Sequence, residues 1–234
     1  MNKLFLLIFC GFSLPAFAQF DSLGIKVKWC TGKIMFEDNS RMTGYIKYND
    51  KLGLIAFKEN INDEDLPLSE NRIQAMEFFD EELSKNKKFM SFYMRDDESG
   101  WSGKMLFEVI LEVKEFAVLS KLGRVNHAIR DKNYNVARTP PRYVKVGYEQ
   151  FESIYLVDRN GKLEKLLVTS VFEKDKFRSG SALKPQLNKE VLKKYLGLGW
   201  EQVNEFAKKN GLNLKERTEL IKALEYFRDL ENER

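Results

Sequence analysis

The chain is poor in the residues that usually announce chemistry or covalent bracing. It has 234 residues, with two cysteines, one histidine and five prolines. A single histidine, His127, excludes HExxH sites and multi-histidine zinc sites. No Gly-rich phosphate loop is present, and no run approaches the roughly 18–20 apolar residues that a membrane-spanning helix needs. The excess of basic over acidic residues, 39 against 35, is too small to imply a nucleic-acid partner.

What is present begins at the N-terminus. Lys3 precedes an apolar run, Leu4 to Phe12, which leads to Pro15 and the small-x-small triplet Ala16-Phe17-Ala18. This is the order of a cleavable secretory signal. The expectation is cleavage after Ala18 and an exported protein, periplasmic or secreted, with no transmembrane segment in the mature chain. Cys10, behind bulky Phe9, does not suit a lipid-anchored cysteine. Cleavage removes Cys10 and leaves Cys30 alone, so no intramolecular disulfide forms and stability must come from packing. The 216 remaining residues can bury a substantial core.

Charge is unevenly placed. Residues 19–120 carry 14 basic and 19 acidic side chains, and residues 121–184 carry 14 and 7. An acidic first part and a basic middle can attract one another or mark a surface for an anionic partner.

Short apolar segments separated by turn residues fill residues 25–120: Ile25–Trp29, Lys33–Phe36, Met42–Tyr48, Leu54–Lys58, Arg72–Phe79 and Lys88–Met94. Thr31-Gly32, Glu37-Asp38-Asn39-Ser40 and Asn49-Asp50-Lys51 read as the turns, the pattern of an antiparallel meander. From Met105, the residues Phe107, Val109, Leu111 and Val113 alternate with Glu108, Ile110 and Glu112. That places the carboxylates on a wet sheet face. The pattern continues through Phe116 and Val118 as one long strand or two joined at a bend. Residues 121–150, with Pro140-Pro141, read as a long loop holding at most one short strand, Arg124–Ile129. Phe151–Val157 and Lys162–Val168 flank Asn160-Gly161, a strong hairpin signal.

The last part has a helical period. Asn188 caps Lys189–Leu196, closed by Gly197. Trp200, Val203, Phe206 and Ala207 share one face of a second helix. Asn213 and Glu216 form a capping-box-like start to a third, with the stripe Leu220, Ile221, Leu224 and Phe227. The fold expected is α+β: an antiparallel β-sheet, barrel-like or a sandwich, followed by a small three-helix segment. The organisation expected is signal peptide 1–18, β domain 19–172 with the loop at 121–150, linker 173–186 and helical segment 187–234.

Candidate chemistry is sparse. Cys30 and His127 are the residue types of a nucleophile–base pair, although Cys30 also reads as a small core residue. Ser102 lacks G-x-S-x-G spacing, and Ser179-Gly180-Ser181 falls in the linker. The clusters 63–65, 80–82 and 96–98 do not match EF-hand spacing and read as solvated loop tips. The basic loop is the strongest binding feature. Arg124, Arg130, Lys132, Arg138, Arg142 and Lys145 are interleaved with His127, Tyr134 and Tyr143. Arginine forks suit carboxylates and phosphates. The alternative is a loop that pairs with the acidic strands of the same chain.

The stretch Gly32-Lys33-Ile34, Asp38-Asn39-Ser40 and Thr43-Gly44-Tyr45-Ile46-Lys47-Tyr48, together with the helical end Leu220 to Phe227, resembles exported bacterial β-rich proteins with a C-terminal helical segment. Asn39-Ser40 stands where Asp-Gly is commoner in that group. The resemblance implies an envelope or secreted location, and no activity or catalytic residue comes with it. The function expected is a non-enzymatic binding or interaction module for an anionic envelope component or a protein, needing no cofactor. A small hydrolase using carboxylates or Cys30/His127, and a structural subunit of an envelope assembly, are the alternatives.

Overall fold

The structure is a computed structural model, described for residues 28–50, 52–95, 102–129, 145–170 and 184–233; of residues 124–129, 145–149 and 170 only the backbone is described. Eleven strands run in chain order: β1 (Cys30–Phe36), β2 (Arg41–Asn49), β3 (Leu54–Lys58), β4 (Leu66–Leu68), β5 (Ile73–Asp80), β6 (Lys85–Arg95), β7 (Ser102–Glu112), β8 (Phe116–Ile129), β9 (Lys145–Asp158), β10 (Leu163–Ser170) and β11 (Gln186–Leu187). They form one sheet in the order β11-β10-β9-β8-β7-β6-β5-β1-β2-β3-β4, and every pair is antiparallel. Among the described residues the sheet is open, with β11 and β4 at its edges, rather than the closed barrel or two-sheet sandwich expected.

Its N-terminal part is nevertheless curled. β3, β2 and β1 lie between β4 and β5, a distance of roughly 19 Å across a flat sheet. The chain makes that passage through Ser69 and one 3-10 turn, Glu70–Arg72, which is too short for a flat route. The sheet rolls up, and the turn packs against β7. Inside the roll, Ile55 and Phe57 of β3 share one core with Ile34, Ile46, Met76, Phe89 and Leu106.

Thr31-Gly32 does not separate two strands, as its turn-like composition suggests. β1 runs straight through it, because the backbone is crowded there. A Cβ on Gly32 would sit 2.3 Å from the Glu77 carbonyl oxygen and 2.8 Å from Ile46 Cδ1. The next turn behaves as read. Asn39 takes a positive φ of 64°, and Asp38 accepts from the Ser40 amide and hydroxyl.

The C-terminal half of the sheet is covered by helices. α1 (Lys189–Leu196) passes through a 3-10 turn (Gly197–Gly199) directly into α2 (Trp200–Lys209), and α3 (Arg217–Asn232) follows. The result is two helical arms, one bent and one straight, rather than three separate helices. Gly199 permits the join, since a Cβ there would lie 2.3 Å from the Phe227 ring. Asn188 caps α1 by accepting from the Val191 amide at 3.2 Å. The expected Asn213–Glu216 box does not form. The Asn213 amide donates to Glu219 instead, and Glu216 occupies the N-cap of α3 without a side-chain bond.

Leu192, Leu196, Val203, Leu220, Leu224 and Phe227 pack on Leu111, Val118, Ile154, Leu156, Leu166 and Leu167 of the sheet. The opposite face holds Phe107, Leu119, Tyr155 and Val157 in a second cluster. Residues Glu152–Val157 of β9 are therefore buried on both faces. Burying each of these large aliphatic or aromatic side chains contributes about 2 kcal/mol, so the helices are held to the sheet by apolar packing. Among the described residues no helix is long and apolar enough to cross a membrane.

The largest correction concerns residues 121–150. β8 continues to Ile129 and β9 starts at Lys145, in unbroken register from Phe116↔Asp158 to Ile129↔Lys145. Only 130–144 remain between them. These residues, and 171–183 with most of the expected linker, lie outside the described residues.

Candidate functional site

Two regions concentrate polar groups. The first is the open end of the roll, a cleft of about 190 Å³ with Cys30, Ile46, Tyr48, Phe78 and Phe89 on its wall. Phe89 stacks on Phe78 and meets Tyr48 edge-on. The rim carries both signs of charge. Lys28 pairs with Glu82 at 2.8 Å, and Lys87 pairs with Asp80 at 3.0 Å. Asp80 also accepts from the Glu82 and Leu83 amides at the β5–β6 turn. Burial works to raise the Asp80 pKa, but the Lys87 bond and these amides outweigh it and hold the carboxyl below its ordinary value.

Cys30 lies on this wall. Burial, then the negative charge of Asp80 and Glu81, pushes its thiol pKa up. That opposes formation of a thiolate nucleophile. His127 sits on β8, its backbone paired with Gly147, and β5, β6 and β7 stand between β8 and β1 in the sheet. The acidic clusters serve local structure. Asp63 accepts from the Asn60 amide at 2.7 Å, and Asp65 pairs with Lys58 at 2.8 Å. Residues 96–98 lie outside the described residues. Glu108 pairs with Lys85 and Glu112 with Lys88. Glu108 stands opposite Phe89 of the roll core and is mostly sheltered, so the two carboxylates do not share the wet face that alternation predicts.

The second region is the end of the β8–β9 hairpin. β8 pairs with β7 only as far as Ser120↔Glu108, and β10 pairs with β9 only from Phe151 onward. Among the described residues, Arg124–Ile129 and Lys145–Gln150 pair only with each other, a two-stranded ribbon roughly 20 Å long that separates from β7 after Ser120. Arg124 pairs with Gln150, and Lys145 with Ile129, so two of the six basic candidates are ribbon residues. The other four, Arg130, Lys132, Arg138 and Arg142, fall on the connection at its end, outside the described residues.

The root of this arm is polar and sheltered. On β9, Glu152 accepts from the Ser120 hydroxyl at 2.5 Å and from Arg217 Nε at 2.7 Å. On the roll side, Glu70 accepts from the Tyr48 hydroxyl at 3.0 Å and pairs with Lys121 at 3.5 Å. Burial first, and then the Glu70 charge, pushes the Tyr48 pKa well above its ordinary value, which keeps the hydroxyl a donor. Gly123 leaves space for Phe151 opposite, whose ring lies 2.2 Å from where a Cβ would stand. Sequence reasoning missed both carboxylates. Each is one among 35 acidic residues, and only the pairing of distant elements sets it apart.

Comparison with known proteins adds no likeness: no family model, curated protein or solved structure matches this chain.

Proposed function

We propose that the protein is exported and works as a non-enzymatic binding module, with the β8–β9 arm as its contact element and an anionic envelope component or an acidic protein face as its partner. The N-terminal signal pattern supports export. The observation that carries the binding reading is the arm itself, six residue pairs that no third strand covers among the described residues. An isolated two-stranded ribbon is marginal in water and exposes two unpaired edges. Such a structure gains stability when a partner covers it, and its basic residues supply forks for carboxylates or phosphates. The raised thiol pKa of Cys30 counts against the Cys30/His127 version of the hydrolase alternative and does not bear on a carboxylate version.

The test is crosslinking and pull-down from a native cell envelope, using the protein beside a variant with Arg130, Arg138 and Arg142 changed to Ala. Sedimentation with vesicles of anionic or zwitterionic phospholipid runs in parallel. A partner, or anionic vesicles, retained by the first protein and released by the variant supports the reading. Equal retention by both proteins, or none by either, rejects it. Retention of further copies of the same chain supports a structural subunit instead.

A further inference from the structure

The arm leaves the sheet at a split. Ser120 is the last residue of β8 that pairs with β7, and Lys121 is the first beyond it. Two carboxylates meet the chain at this point, from opposite halves of the protein. Glu70 belongs to the turn between β4 and β5, far from β8 in sheet order, yet its carboxylate bonds Lys121. The two side chains are 13% and 11% exposed, so water contributes little to either charge. Glu152 lies on β9 opposite Leu122 and joins Ser120 to Arg217, the first residue of α3. Its side chain is 11% exposed.

Surface ion pairs usually contribute little and exchange partners freely. These two differ, because separating them strands a sheltered charge. They also lie within one residue pair of each other along the arm, since Lys121 faces Ser153 and Leu122 faces Glu152. Rotation of the arm about its root has to break at least one of them.

We propose that Glu70 and Glu152 are positioning residues that lock the arm at its root, Glu70 to the N-terminal roll and Glu152 to α3. The arm is then a rigid lever with two seats, and a load on its tip is felt in both halves of the protein. The meaning of this lock for binding rests on the function proposed above, but its test reads the arm and needs no partner.

The experiment is amide hydrogen exchange on the full chain, comparing the unaltered protein with Glu70→Gln, Glu152→Gln and Lys121→Met. Glu190→Gln, on the exposed face of α1, serves as a control. Amides of 124–129 and 145–150 are expected to be protected in the unaltered protein. They are expected to exchange about tenfold faster in each of the three root variants, while β2, β3 and β10 change less than about twofold. Lys121→Met removes the Glu70 pair from the other side and so repeats the test if Glu70→Gln folds poorly. Arm amides that exchange at the unaltered rate in the root variants overturn the proposal. So does acceleration spread evenly over all strands, or an arm already unprotected in the unaltered protein. If the root variants loosen the arm and pull-down captures nothing, the lock stands and the binding role falls.

Discussion

Arg217 reaches from the first turn of α3 to Glu152 on β9, with Nε 2.7 Å from Oε1. The helix is thereby fixed at its N-terminal end by a charge-assisted bond as well as by its apolar stripe. Replacing Arg217 with Met removes the donor and leaves a sheltered carboxylate with the Ser120 hydroxyl alone. Losing one partner of a fully buried pair costs about 3–5 kcal/mol, and the partial exposure of Arg217 reduces this to about 2 kcal/mol. Urea denaturation of Arg217→Met is expected to show that loss.

Gly199→Ala tests the join between the helical arms. The new methyl meets the Phe227 ring, which is packed against Phe116 and cannot swing freely. Overpacking of this kind costs about 1–3 kcal/mol. Leu198, one residue earlier and 98% exposed, is the contrast: Leu198→Ser is expected to change the melting midpoint by less than about 0.5 kcal/mol equivalent. Thermal melts of the two variants side by side check both.

Acid stability should depend on Asp80. Its folded-state pKa lies below the ordinary 3.8, so the unfolded chain binds the proton more readily. Its contribution is complete above that ordinary value and is lost as pH falls through the lower folded-state value. Asp80→Asn is expected to be less stable than the unaltered protein at neutral pH. The gap should narrow as pH falls below 3.8, read by denaturation across the acid range.

The raised pKa of Cys30 predicts a sluggish thiol. Alkylation at Cys30, followed by peptide mass analysis near neutral pH, is expected to run at least about threefold slower than that of a free thiol peptide. Glu81→Gln removes one of the charges that raises the value and should speed the reaction.

The sequence was most legible where a local signal and burial agreed. Asn160-Gly161 marked the β9–β10 turn, Gly161 taking φ 79°. Asn188 capped α1. On β7 Phe107 and Leu111 are both buried, but a register shift between Val109 and Leu111 puts them on opposite faces, Leu111 under the helices and Phe107 away from them, so the single-face alternation expected there ends at Val109. Legibility failed where strands lacked a core to declare them. Lys121–Ile129 carries Lys, Gly, Arg, Asn and His; a short strand was legible at Arg124–Ile129, but its continuity with Phe116–Ser120 and its pairing along the whole length with β9 were not. Gly32 looked like a break, and only the crowding from Ile46 and Glu77 explains a glycine inside β1. Curling of the sheet was hidden for a different reason: it depends on β5 pairing with β1 instead of β4, a long-range choice with no local signature.

That choice has a consequence for how the chain is made. Among the described residues every ladder except one joins strands adjacent in the chain; the exception is β1 with β5, where Gly32 meets Phe78. During synthesis from the N-terminus, β1–β4 can assemble as a meander while β5 is still within the ribosome. The free edge of β1 then waits, open to pairing with any passing strand. Closing that seam is the step with the largest sequence separation in the sheet, and so the step at which slow folding and misassembly should concentrate.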